Sequence, residues 1–236
     1  MFRSSRDRLS LVAALCAGLS CCAVAAPASA QTGGATILSQ IPESAAPIGY
    51  GEPGKRSIVV APTALVGKRL IVRGTLPGAS RRLVYLQRLD PERGWRNVAR
   101  TRVRSTRRLL VRWRPQRSGP TSLRVVIRRR AAAAAKAPVA TVNVYRPARA
   151  TFFGPGLFGR QTFCGQSLTP ELLGVAHRRL PCGTLVAILH ERREIVVPVV
   201  DRGPFHAGYD WDLTQGTADR LDFEGTGDIG YVRVAR

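Results

Sequence analysis

Residues 198–205 read PVVDRGPF, an apolar run that stops against an Asp-Arg-Gly-Pro corner. Val and Ile favour a strand, and Asp, Gly and Pro favour the turn that ends it. A carboxylate, Asp201, therefore stands at a strand end. Two readings are open. Asp201 is a turn acid paired with its neighbour Arg202, or it is a carboxylate aimed into a cleft. Adjacent strand residues point to opposite faces, so Arg202 need not neutralise it.

The stretches around this corner are also rich in β-formers. GTLVAILH (183–190) and EIVVPVV (194–200) are separated by the polar ERRE turn, and GYVRVAR (230–236) supplies a further strand. TQGTADRL (214–221) has helical character, with Asp212 or Thr214 placed to cap its free N–H groups. Helical content should be small.

Taken in order, Phe153-Gly154, AHRRLPCGT (176–184), VVDRGPF (199–205), WDLT (211–214) and GTGDIGYVRV (225–234) resemble the RlpA-like domain of the rare lipoprotein A family. The resemblance covers residues 149–236. It implies a small six-stranded double-psi β-barrel whose loops and strand ends form a groove. Members of this family are lytic transglycosylases, or noncatalytic relatives akin to expansin-like modules that bind wall glycan.

For a transglycosylase the implied reaction is cleavage of the bond between N-acetylmuramic acid and N-acetylglucosamine, with the muramic 6-hydroxyl closing on its own C1. One carboxyl group can act as acid and then as base, because the nucleophile is intramolecular. By motif position Asp201 matches the catalytic aspartate and His177 its associated histidine. An acid role for Asp201 requires partial burial to raise its pKa. Asp212, Phe153, Arg202, Phe205 and Trp211 are the substrate-binding candidates, with Tyr209 a further aromatic that could stack on a sugar. Each of these aromatics has barrel packing as its alternative, and Asp212 has the cap or loop brace. The chain departs from the family at Phe152-Phe153, where many members have Trp-Tyr, and at Val200, which replaces a frequent Asn. No cofactor is implied, and the scattered His177, His190 and His206 offer no metal-ligand spacing.

Upstream the composition changes. Of the formal net charge of +22, residues 31–150 carry +21, from 25 Lys or Arg against 4 Asp or Glu, whereas residues 151–236 carry −1. Seven short runs, SIVVAP, RLIVRGTL, RLVYLQRL, WRNVARTRV, RLLVRWRP, TSLRVVIRR and VATVNVYR, are separated by turn residues at the spacing of an immunoglobulin-like β-sandwich over residues 57–148. The fold class is thus all-β, a sandwich followed by a barrel. Trp95 and Trp113 are the expected large core fillers, and AAAAAKAP (131–138) is expected to be a loop. Alternation puts Leu109, Val111 and Trp113 on one face of a strand, with Arg112 and Arg114 on the other, and groups Arg100, Arg102 and Arg104. One arginine-rich outer face is expected. It serves solubility, or it meets an anionic wall polymer or membrane surface.

The first thirty residues have a basic start, an apolar stretch and Ala28-Ser29-Ala30, the pattern of a cleaved secretory signal. Residues 31–56 follow as a flexible segment. The expected location is outside the cytoplasm, secreted or in the cell envelope, which argues against nucleic acid as the partner despite the basic pI. Cys16, Cys21 and Cys22 leave a lipid anchor as the competing reading, although none sits in a good lipobox. Signal removal would leave Cys164 and Cys182, which suggests one disulfide in an oxidising compartment, with two free buried thiols as the alternative. The expected partners are peptidoglycan glycan strands.

Overall fold

The structure is a computed structural model that describes residues 47–52, 55–104, 108–128 and 135–234. The signal segment, its three cysteines, most of residues 31–56 and residues 131–134 of the expected loop lie outside the described residues.

All seven expected runs of the basic half form strands. They are β2 (Ser57–Val60), β4 (Leu70–Thr75), β5 (Leu83–Asp90), β6 (Gly94–Arg102), β7 (Arg108–Trp113), β8 (Gly119–Ile127) and β9 (Val139–Phe153). Two short strands join them, β1 (Ile48–Gly51) and β3 (Thr63–Leu65). Residues 48–51 were expected in the flexible segment. Instead they pair antiparallel with β2, from Ile48 opposite Val60 to Gly51 opposite Ser57.

One sheet has the order β1-β2-β4-β7, and the other runs β9-β8-β5-β6 with β3 parallel on β9. Strict alternation explains why the two sheets share a core: Ile58, Val60, Val72, Val84, Leu86, Val111, Leu123 and Val142 point inward and are buried together. Burying each such side chain contributes roughly 1.5–3 kcal/mol.

The tryptophans do not fill this core. Trp95 lies on the outer side of β6, the edge strand, with the Arg124 guanidinium 4.1 Å from its ring centroid. Trp113 does point inward, but at the strand end, where it is only partly covered. The arginines also differ from the expectation of one face. Arg73, Arg108 and Arg112 stand on the outer face of the first sheet, and Arg100 and Arg102 on that of the second. Like charge is thereby divided between two opposite surfaces.

The second half is a closed ring of six strands. After β9 come β10 (Val175–Ala176), β11 (Leu185–His190), β12 (Arg193–Asp201), β13 (Trp211–Thr214) and β14 (Gly227–Arg233). The order is β13-β10-β12-β11-β14-β9, and β9 closes the ring by pairing parallel with β13. Val186, Ile188, Val197, Val199, Trp211, Leu213 and Ile229 fill the interior. One helix, α1 (Gln215–Leu221), follows β13.

Thr214 is the helix N-cap residue, but its hydroxyl makes no capping bond. It bonds to Leu172 O at 2.6 Å and lies 3.0 Å from the Thr217 hydroxyl, tying the 172–174 segment to the helix start. Asp212 is a strand residue and not a cap.

Strand β9 is 15 residues long and belongs to both halves. Its first part pairs with β8 and β3, and its second with β14 and β13. The residue 148/149 boundary therefore falls inside one continuous strand.

Candidate functional site

Register builds the site. Ala176 of β10 is opposite Asp201 of β12 on one side and Asp212 of β13 on the other, and Asp212 is in turn opposite Thr151 of β9. Residues in register share a face, so Asp201, Ala176, Asp212 and Thr151 form one row on the outer surface of the barrel. The small Ala176 leaves the two carboxylates facing a common space, with their backbones about 10 Å apart, two strand spacings. A register shift between Val175 and Ala176 lets the chain skip Val200, which is buried, and so brings Asp201 into the row.

The two acids have different surroundings. Asp201 Oδ1 accepts the Phe163 N–H at 2.9 Å and the Arg202 N–H at 2.7 Å. That oxygen is committed to holding two loops. Asp212 is also half-buried, but its Oδ1 is buried with no hydrogen-bond partner. Burial pushes its pKa up from 3.8 to about 6, and the Asp201 charge adds to the rise while His206 opposes it. The sequence offered Asp201 for the acid role and Asp212 for substrate binding; Asp212 is a carboxyl whose pKa burial raises.

His177 follows Ala176. Its Nδ1 accepts the N–H groups of Arg179 and Leu180, each at 3.0 Å. Nδ1 is therefore unprotonated, and the neutral ring carries its proton on Nε2. Burial, then the Arg178 and Arg202 charges, hold its pKa below the ordinary histidine value. The ring centroid is 4.6 Å from that of Trp211. His177 thus presents an N–H donor from a fixed ring and anchors the 178–180 turn.

Arg202 does not pair with the Asp201 carboxylate through its guanidinium. It donates instead to Leu180 O at 3.0 Å and His177 O at 3.5 Å, lies 3.8 Å from Cys182 Sγ, and sits over the Phe163 ring at 4.4 Å. Asp201 braces the turn through the Arg202 N–H and not through an ion pair with the guanidinium.

Cys164 and Cys182 form a disulfide, with Cα atoms 5.7 Å apart, that joins the Phe163 loop to the turn after His177. In the chain-entropy model a bridge of this span contributes about 3 kcal/mol.

The aromatic candidates separate. Trp211 is 1% exposed and fills the barrel, so it cannot stack on a ligand; its role is to back His177. Tyr209 lies under Arg149 at 4.9 Å. Phe153 is half-buried and on the same face as Asp212, two residues beyond Thr151. Phe205 is 84% exposed. Gly203, at φ +135°, turns the chain so that a Cβ at that position would sit 3.8 Å from Ala176 Cβ and 3.9 Å from the Phe205 ring. Phe205 is therefore placed beside the carboxylate row. Sequence reasoning missed Phe163, which is 66% exposed and joined to Asp201 by its own N–H. It lies in a loop, where no periodicity marks it; its only signal is an aromatic next to a bridging cysteine.

This arrangement can hold a proton on Asp212 near pH 6 and a second carboxylate across a one-residue gap, with His177 fixed in the segment that follows Ala176. Such a set suits acid–base chemistry.

A family model described as "Lytic transglycolase" matches residues 148–235. The chain is 43% identical over 89 residues to the "Probable endolytic peptidoglycan transglycosylase RlpA" of Nostoc sp., covering 36% of this chain and 24% of that protein. It is 36% identical over 97 residues to the protein of the same name from Synechocystis sp., with 40% and 30% covered. Against the "Endolytic peptidoglycan transglycosylase RlpA" of Campylobacter jejuni it is 35% identical over 80 residues, with 33% and 29% covered. The chain thus spans about a quarter to a third of the length of these relatives. Among solved structures, the Streptomyces papain inhibitor is 23% identical, covers 36% of this chain and 92% of its own, and gives a TM-score of 0.28.

Proposed function

Since residues 148–235 are an RlpA-like double-psi β-barrel domain, we propose that this protein acts on the glycan strands of peptidoglycan outside the cytoplasm, as a lytic transglycosylase. The observation that carries the proposal is the Asp212 carboxyl, whose buried Oδ1 has no hydrogen-bond partner and whose pKa is raised to about 6, in register across Ala176 from Asp201.

In the proposed reaction protonated Asp212 gives its proton to the glycosidic oxygen as the C1–O bond breaks. The muramic 6-hydroxyl attacks C1 and surrenders its proton to the same carboxylate. No water is consumed, and the acid is restored. Asp201 serves as the fixed neighbouring charge, and His177 donates from Nε2 to the substrate. The rest of the site grips the sugar chain.

The basic half supports a second part of the reading. We assign the region from about residue 48 to the middle of β9 as an immunoglobulin-like sandwich that keeps the protein at an anionic wall polymer or membrane surface. Arginines on both outer faces suit a polymer that wraps the domain better than one flat surface.

The alternative is a noncatalytic module that grips wall glycan, favoured by the solvent-exposed Phe163 and Phe205 beside the acids. Digestion of purified sacculi, with mass analysis for anhydro-muramyl ends, separates the two. The transglycosylase releases such ends and Asp212→Asn does not. Sacculus binding without any release in the wild type would favour the binding module.

A further inference from the structure

An exposed phenylalanine on a loop is costly, because burying such a ring is worth roughly 1.5–3 kcal/mol. Phe163 is nevertheless held in an exposed position by four restraints. Its N–H is bonded to Asp201, and its neighbour Cys164 is bridged to Cys182. The Cys164 N–H donates to Val200 O at 3.1 Å, and Arg202 backs the ring at 4.4 Å. Arg202 is itself fixed by two carbonyls of the 177–180 turn. The backbone that carries the ring is thus fixed, and the ring, backed by Arg202, is two-thirds exposed. Ordering a binding group in advance removes an entropy cost from association. Phe205, just beyond the turn at Gly203, offers a second exposed ring.

We propose that Phe163, seated on Arg202, is a stacking platform for a sugar ring of the bound glycan, and that Phe205 is its partner on a neighbouring ring. Both rings determine affinity and register of the polymer, and neither takes part in proton transfer. The occupant follows from chemistry. A pyranose with equatorial substituents has an apolar C–H face that covers an aromatic ring, while its hydroxyls remain free to reach the carboxylates and His177. Phenylalanine has no hydroxyl or indole N–H, so it selects this face without a hydrogen bond. The inference rests on the glycan-acting role proposed above.

The test uses the full chain with purified sacculi and with soluble N-acetylglucosamine oligomers. Phe163→Ala should weaken binding about 3- to 10-fold, the range of one aromatic stack, and Phe163→Trp should restore it. The introduced indole should also change its emission when oligomer is added. In cleavage assays Phe163→Ala should raise KM and leave kcat nearly unchanged, because stacking is equal in ground and transition states. Phe205→Ala should behave likewise, and the double variant should lose more than either. Since both rings are exposed, thermal melting should be unaltered; a lowered melting temperature with unchanged affinity would make Phe163 structural and overturn the platform. Unchanged affinity and KM in the double variant would also overturn it, with the glycan-acting reading intact. A wild type that neither binds nor cleaves glycan would overturn both.

Discussion

The sandwich and the barrel use charge in opposite ways. Residues 31–150 accumulate a net +21, with arginines on the outer faces of both sheets, and the sandwich core is made of aliphatic side chains. Residues 151–236 are close to neutral, yet they contain the carboxyl group, among the described residues, whose pKa burial raises most, Asp212. Many exposed charges give long-range attraction that salt screens beyond about 8 Å. One buried charge gives chemistry. Surface abundance and buried scarcity are different devices, and strand β9 runs through both halves that carry them.

This comparison breaks first at Asp212. Asp212→Asn should lower glycan cleavage by about 10²–10⁴-fold, the usual contribution of a positioned acid, while sacculus binding persists. Equal rates for variant and wild type, measured by release of anhydro-muramyl ends, would move the chemistry elsewhere. Asp201→Asn should be less complete, since that carboxylate holds the Phe163 and Arg202 amides and acts as a neighbouring charge.

The sandwich can be tested without cutting the chain, which would sever β9 within its ladder. Changing Arg73, Arg112, Arg100 and Arg102 to Glu in the full protein should reduce retention on anionic vesicles or wall polymer by at least tenfold at low salt. Each basic residue near such a surface is worth about 1 kcal/mol. Cleavage of soluble glycan should stay at the wild-type rate. Unaltered retention would leave the arginines with a solubility role.

Replacing Cys164 and Cys182 by Ser should lower stability by about 3 kcal/mol, read as a fall in denaturation midpoint. It should also reduce affinity for glycan, because the bridge holds the Phe163 loop. A variant with full stability would place the 164–182 constraint in the surrounding hydrogen bonds.

The smallest effect concerns pH. Asp212 has a raised pKa in the folded state, so its contribution to stability is fully present below the unfolded value of 3.8 and is lost as pH rises through about 6. Above that pH Asp212→Asn should melt higher than wild type, by on the order of 1 kcal/mol of stability after discounting for partial solvent exposure. The gap should close as pH falls toward 4. A melting difference independent of pH would detach it from this carboxyl.

Much of the fold was legible because alternation is local. Leu109, Val111 and Trp113 face inward, and Leu110 and Arg112 face outward, as their spacing requires. β1 and β3 were not legible, being short and, in β1, broken by glycines. The Arg146–Arg149 stretch, where the sandwich was expected to end at residue 148, instead continues β9, with Arg146 to Arg149 opposite Tyr231 to Asp228 of β14. Trp95 shows the limit of size as a guide: on an edge strand its outer face is covered by Arg124 rather than by the core.

Within the site, motifs found Asp201, His177 and Asp212, but not their environments. Burial of Asp212 is created by the register of β10 with β13, a long-range property. Burial of Trp211 and exposure of Phe163 follow from the same closure of the barrel.

Asp212, and not Asp201, is proposed to carry the proton. The most direct measurement is an NMR titration of the Asp212 carboxyl carbon in the full chain, assigned by comparison with Asp212→Asn. A midpoint near 6 is expected, falling but staying above 3.8 in Asp201→Asn, since burial is the larger cause and the Asp201 charge a lesser one. A midpoint at the ordinary aspartate value, unmoved by Asp201→Asn, would contradict the assignment of Asp212 as the acid.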